Sequence, residues 1–279
     1  MVVQSVVSGD GTEIAYAVSG SGPPVLLIHG FPDDHTLWAA QAEAIVTAGM
    51  QAVAVDQRGF GSSGKPRDAT AYRLHLAMAD MLVVLDELGH DRAAVVGHDW
   101  GAAVASVVAM FAPERVDRLV LISAGHPGVF RTLGLRQFEL AWYMQFFQAP
   151  EIPEEWLKAD NWANLKAWGR HPEPDEVIAR LSEPGALTAA LNWYRANAGP
   201  EMMRAPTRPL PRFTQPTMGI WPSDDPHLIE EFVTGTADLV DNSWRYERIE
   251  DAGHWVQLDQ PQALSHLLID YLQSDAAQA

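Results

Sequence analysis

The chain has 279 residues, 47% of them hydrophobic and 20% charged, with a formal net charge of −17. This is ordinary globular usage at a length that allows one large α/β core with an insertion, and the acidity opposes nucleic-acid phosphates and anionic lipid surfaces. Cysteine is absent, which excludes disulfides, thiolate metal sites and a cysteine nucleophile and is compatible with a reducing compartment.

Met1-Val2-Val3-Gln4 lacks the basic segment and apolar run of a secretion signal. No stretch reaches the roughly 18 apolar residues of a membrane span, so a soluble cytoplasmic protein is expected. Thr12 to Ser19 alternates apolar and polar residues, as a strand with one exposed face does. Pro24 to His29, Met50 to Asp56 and Ala93 to His98 are continuous apolar runs suited to parallel strands buried on both faces, and Leu119 to Ser123 adds another. Thr36 to Ala48, Tyr72 to Leu88 and Ala102 to Phe111 have helical length and spacing. Strands that alternate with helices imply crossover units and a mostly parallel sheet flanked by helices.

Beyond Ala124 the pattern changes. From Phe130 to Phe213 helical stretches are separated by prolines, and Trp142, Trp156, Trp162, Trp168 and Trp193 all fall there. Arg204 to Pro211, with three prolines, reads as a return linker. Strand patterns resume at Pro216 to Trp221 and Trp244 to Ile249, and a last helix is expected from Pro261 to Leu272. The organisation expected is a core (1–129 and 214–279) interrupted by a helical cap (130–213).

Val95-Val96-Gly97-His98-Asp99-Trp100-Gly101 carries the strongest chemical signal. Glycines flank a central residue at a sharp strand-to-helix turn, the shape of a nucleophile elbow. The central residue is aspartate, which at such a turn can also simply cap the helix. Three other segments support catalysis. His29-Gly30-Phe31-Pro32 follows an apolar strand, where the backbone N–H of Phe31, together with that of Trp100, can face one developing negative charge. Gly253-His254-Trp255 follows the last strand, in the right order for a base, and an acidic loop beyond Trp221 offers Asp224 and Asp225 to orient that histidine. Asp56-Gln57-Arg58-Gly59-Phe60-Gly61-Ser62 ends another strand and reads as structural, with Asp56 and Arg58 fixing loops. No H-E-x-x-H or similarly spaced ligand cluster occurs, nor a glycine-rich dinucleotide fingerprint. Neither metal nor cofactor is expected.

HGFP, DQRGFGSS, GHDWG and GHW, in this order, resemble the α/β-hydrolase-fold epoxide hydrolases, relatives of the haloalkane dehalogenases. The resemblance covers nearly the whole chain. It implies an α/β-hydrolase fold with an inserted helical cap, Asp99 as a covalent nucleophile, His254 as base, and Asp225 rather than Asp224 as its acid. It also implies two cap tyrosines that assist ring opening. The segments that match are Trp142-Tyr143-Met144-Gln145-Phe146-Phe147-Gln148 and, more closely, Leu191-Asn192-Trp193-Tyr194-Arg195. Aromatic residues in a helical cap also serve packing, so Tyr143 and Tyr194 owe this role to their family-like contexts. The partners implied are a small apolar epoxide and water. A dehalogenase would use the same nucleophile and base, and a non-catalytic binding protein could use the same fold. An elbow without serine argues against an esterase.

Overall fold

The computed structural model describes residues 2–200 and 209–274. Most of the linker expected at Arg204 to Pro211 therefore lies outside the described residues. Eight strands among them form one sheet in the order β1-β2-β4-β3-β5-β6-β7-β8. They are β1 (Val2–Val7), β2 (Glu13–Ser19), β3 (Pro24–Ile28), β4 (Gln51–Val55), β5 (Ala93–His98), β6 (Val116–Ile122), β7 (Thr217–Pro222) and β8 (Trp244–Ile249). The pairs β1–β2 and β2–β4 are antiparallel and all later neighbours are parallel, the mostly parallel sheet expected from the apolar runs. β1 is an addition to that expectation. Its side chains are almost all exposed, so pairing to β2 holds it, and no buried face marks it in the sequence.

The period of two along the buried strands sorts side chains onto two faces. Leu26, Val53, Val95 and Leu119 join one core with α2 (Leu74–Glu87) and α3 (Trp100–Phe111). Val25, Leu27, Val96 and Val120 join the other, against α1 (Ala39–Thr47) and the C-terminal helix Pro261–Gln273. Covering both faces explains why these strands read as unbroken apolar runs. α3 begins at Trp100, two residues earlier than its pattern suggests, and a short 3₁₀ turn at His35–Trp38 precedes α1.

Between β6 and β7 lie α4 (Pro127–Phe130), α5 (Gly134–Leu140), α6 (Trp142–Phe146), α7 (Ile152–Gly169), α8 (Pro174–Ser182) and α9 (Ala186–Asn197). Eight of the twelve residues of α9 are buried, and Trp193 Nε1 donates to the Arg58 carbonyl at 3.0 Å, tying this helix to the core. Arg58 is itself buried and grips Asp80 through two bonds of 2.7 Å. Asp56 accepts from the backbone N–H groups of His35 and Ser62 at 2.7 and 2.9 Å. After β7 follow α10 (Glu230–Thr234), α11 (Val256–Asp259) and the last helix, α12. No helix among the described residues is long and apolar enough to cross a membrane.

Candidate active site

Asp99 sits between β5 and α3 with φ 55° and ψ −121°, a strained conformation for a residue with a Cβ. A Cβ on Gly101 would collide with the Ile28 carbonyl, and one on Gly30 with the Asp99 side chain. Glycine at both places lets the elbow and the loop after β3 meet.

That meeting puts the Phe31 N–H 2.9 Å from Asp99 Oδ1, and the Trp100 N–H bonds the same carboxylate. Asp99 Oδ2 lies 3.6 Å from His254 Nε2. On the other edge of the imidazole, Nδ1–H donates to Asp225 Oδ2 at 2.6 Å. Asp225 Oδ1 accepts from the backbone N–H groups of His227 and Leu228 at 2.8 and 3.1 Å. Asp224 is exposed, and its backbone N–H bonds the Ala252 carbonyl. Exposure grades along the series: the Asp225 side chain is 0% exposed, that of His254 3% and that of Asp99 16%. Asp99, the outermost member, is the most open to the cavities beside it, and His254 lines one of them.

Burial pulls the His254 pKa down, but the charges and hydrogen bonds of Asp225 and Asp99 outweigh it and push it up to about 10. Burial also opposes ionisation of the two carboxylates, and His254 outweighs this in turn, holding both below the usual range. Two further histidines flank the base, and burial, aided by the His254 charge, lowers each to about 4. His98 Nε2–H donates to the His254 carbonyl at 2.8 Å, and His227 Nε2–H donates to the Gly169 carbonyl at 3.1 Å. Both are neutral, so the imidazolium charge of the cluster stays on His254.

Tyr143 (α6) and Tyr194 (α9) are both buried and line the same cavity as Asp99 and His254. Their ring centroids are 5.8 Å apart and their planes 79° apart. Tyr194 packs on Trp100 and Phe31 at 5.2 and 5.6 Å. Gln148 Nε2 donates to the carbonyls of Met144 and Tyr194 at 2.9 Å each, which fixes one tyrosine segment on the other. Burial first, and then nearby negative charge including that of Asp99, raises both phenols well above their ordinary pKa. They stay protonated as donors across the neutral range.

Asp33 has a role that the motifs do not reveal. This buried carboxylate accepts from Trp255 Nε1 at 2.8 Å, Arg180 Nη2 at 3.0 Å and His171 Nε2 at 3.2 Å. It thereby joins the loop of Phe31, the loop of His254 and the helical segment that carries α8. In the sequence it is one of two aspartates before a helix start, indistinguishable from a cap. Asp33→Ala would leave these donors unpaired and is expected to lower stability by about 3–5 kcal/mol, measured as a reduced urea midpoint at unchanged slope.

A family model described as "alpha/beta hydrolase fold" matches residues 23–261. The chain is 33% identical to "AB hydrolase superfamily protein YfhM" of Bacillus subtilis, over 96% of this chain and 97% of that protein. It is 28% identical to "Epoxide hydrolase A" of Mycobacterium tuberculosis, covering 96% of this chain and 97% of that one. A solved structure described under "Novel epoxide hydrolases belonging to the alpha/beta hydrolases superfamily in metagenomes from hot environments" superposes with a TM-score of 0.88 at 28% identity. It covers 98% of this chain and 99% of that one.

Proposed function

The chain belongs to the α/β-hydrolase fold family and is a hydrolase acting on epoxides, and we propose that it forms the vicinal diol through an alkyl ester of Asp99. The observation that carries this mechanism is the pair of buried phenols lining the cavity of an anionic Asp99 backed by His254 and Asp225. The helices between β6 and β7 act as the cap that supplies them.

Asp99 Oδ1 is held by the Phe31 N–H, which leaves Oδ2 as the attacking atom. Attack on an epoxide carbon makes the Oδ2–C bond and breaks the ring C–O bond. The departing alkoxide is strongly basic, so a phenol of Tyr143 or Tyr194 gives it a proton. Water then attacks the Asp99 carbonyl carbon as His254 takes its proton. The oxyanion on Oδ1 rests between the N–H groups of Phe31 and Trp100. Collapse breaks the Cγ–Oδ2 bond and the second proton of the water passes to Oδ2, so the diol leaves with Oδ2 in it and the water oxygen replaces Oδ2 in the Asp99 carboxylate.

The proton balance closes within these residues. With Asp99 ionised, His254 is a cation and cannot act as a base. Esterification removes one of the two negative charges facing it, and its pKa falls. The proton it sheds matches the one that the tyrosinate regains. Deprotonating water restores the imidazolium as the ionised Asp99 returns.

Tyr194→Phe is expected to slow styrene oxide opening about tenfold or more, and the Tyr143→Phe/Tyr194→Phe pair by about 10²–10⁴-fold, in single-turnover assays with native circular dichroism. Alkylation of the same pair by a bromoalkane should fall far less, because halide leaves without a proton. Normal styrene oxide turnover by the double variant would overturn the assignment of the phenols.

A further inference from the structure

Asp99 borders two cavities, and among the described residues it alone lines both. The smaller has a volume of about 480 Å³, its open mouth included, and contains Tyr143, Tyr194 and His254, with His171, His227 and Lys166 also on its walls. The larger, about 1060 Å³ including its open mouth, has neither phenol nor His254 on its walls. It runs along one face of α3, where Ala103, Val107 and Met110 recur at helical spacing, and Phe130, Leu228 and Phe232 complete an apolar lining. Between these cavities lies the carboxylate that attacks.

We propose that the substrate class is an epoxide with one long apolar arm and a small second end. This rests on the epoxide-hydrolase mechanism above. The ring oxygen has to reach a phenol, and of the two cavities it is the smaller that both phenols line. The three-membered ring and its small end therefore occupy that space. An extended hydrocarbon exceeds that space, which is less than half the volume of its neighbour. The larger cavity offers the arm an apolar surface that starts at Asp99 itself, so one substrate can span the two with its reacting carbon at the junction. Burial of each added methylene is worth about a three- to fourfold gain in kcat/KM while the cavity fills. A second bulky arm has no comparable space, so an internal epoxide with two long arms is the wrong shape.

The test is kcat/KM of the purified full-length chain on propylene oxide, the terminal epoxides of hexane and decane, and the decane epoxide with its ring at the centre. Expected is a rise of about tenfold or more from propylene oxide to the terminal decane epoxide, with the central isomer at least about tenfold below the terminal one. Val107→Trp, which fills the larger cavity, should collapse the ratio of terminal decane epoxide to propylene oxide towards one. Ala103→Leu is the milder obstruction if the first variant does not fold, and it should lower the same ratio. The proposal is overturned if the central isomer matches the terminal one, or if folded Val107→Trp or Ala103→Leu keeps the wild-type ratio. Absence of turnover on every one of these epoxides, with no ester on Asp99, would instead sink the epoxide-hydrolase mechanism, and this substrate class with it.

Discussion

Asp99→Ala is expected to abolish epoxide turnover, with a loss of about 10⁴–10⁶-fold in kcat. In the proposed mechanism the carboxylate makes the new bond to carbon, and no neighbour can take its place. Asp225 is sealed behind His254, and no cysteine exists in the chain. The substitution removes a buried anion that faces a cationic histidine, so the His254 pKa should fall towards the value set by burial and Asp225 alone. The fold should persist, because β5 and α3 hold the elbow through their own backbone bonds and packing. An Asp99→Ala protein with native circular dichroism and substantial diol formation would remove the covalent mechanism altogether. A single wild-type turnover in ¹⁸O-water gives an independent readout. The label is expected in Asp99 and not in the first diol released, since the diol takes its oxygen from the carboxylate. Label in that first diol would mean direct attack by water.

His254→Ala should separate the two half-reactions. Oδ2 of Asp99 is anionic without help, so alkylation continues at a reduced rate, whereas hydrolysis of the ester loses its base and falls by about 10³–10⁴-fold or more. Intact-mass measurement after exposure to styrene oxide should show a gain equal to the whole epoxide, mapped to Asp99. A gain of an alkyl group alone, seen only with a bromoalkane, would turn the assignment to a dehalogenase. The wild-type pH dependence follows from the same charges. His254 is raised to about 10 while Asp225 and Asp99 are both ionised. In the ester only Asp225 still raises it, so its pKa is lower there. Hydrolysis requires the neutral ring, and its rate should therefore climb with pH through that lower value and level off. Alkylation requires ionised Asp99 and protonated phenols, so it should be flat between about pH 6 and 9. Rapid-quench measurement of the two phases checks this, and identical pH profiles for both would contradict the release of the base by esterification.

Legibility in the sequence followed the range of the interactions. Ala93 to His98 could be read as a buried strand because both faces of it are covered, and Gly97 and Gly101 announced the sharp turn around Asp99 because close backbone contact excludes a Cβ. β1 gave no such signal, since its exposed side chains follow from pairing at a sheet edge. Asp224 and Asp225 are adjacent and chemically alike. Only the path of the loop brings Asp225 against His254 and leaves its neighbour exposed.

The sequence by itself determined the mostly parallel α/β core, the helical stretch after β6, and the aspartate at the elbow with a histidine late in the chain. These rest on local periodicity, steric needs of tight turns and residue type. The tertiary structure set against His254 the Asp225 carboxylate that the family resemblance had favoured, and it alone decided how the two tyrosine segments meet through Gln148 and that Asp33 unites three separate segments. It alone set two unequal cavities against one Asp99 carboxylate. Each of these depends on side chains from distant segments packing into one volume, and that packing leaves no period or spacing in any one stretch of the chain.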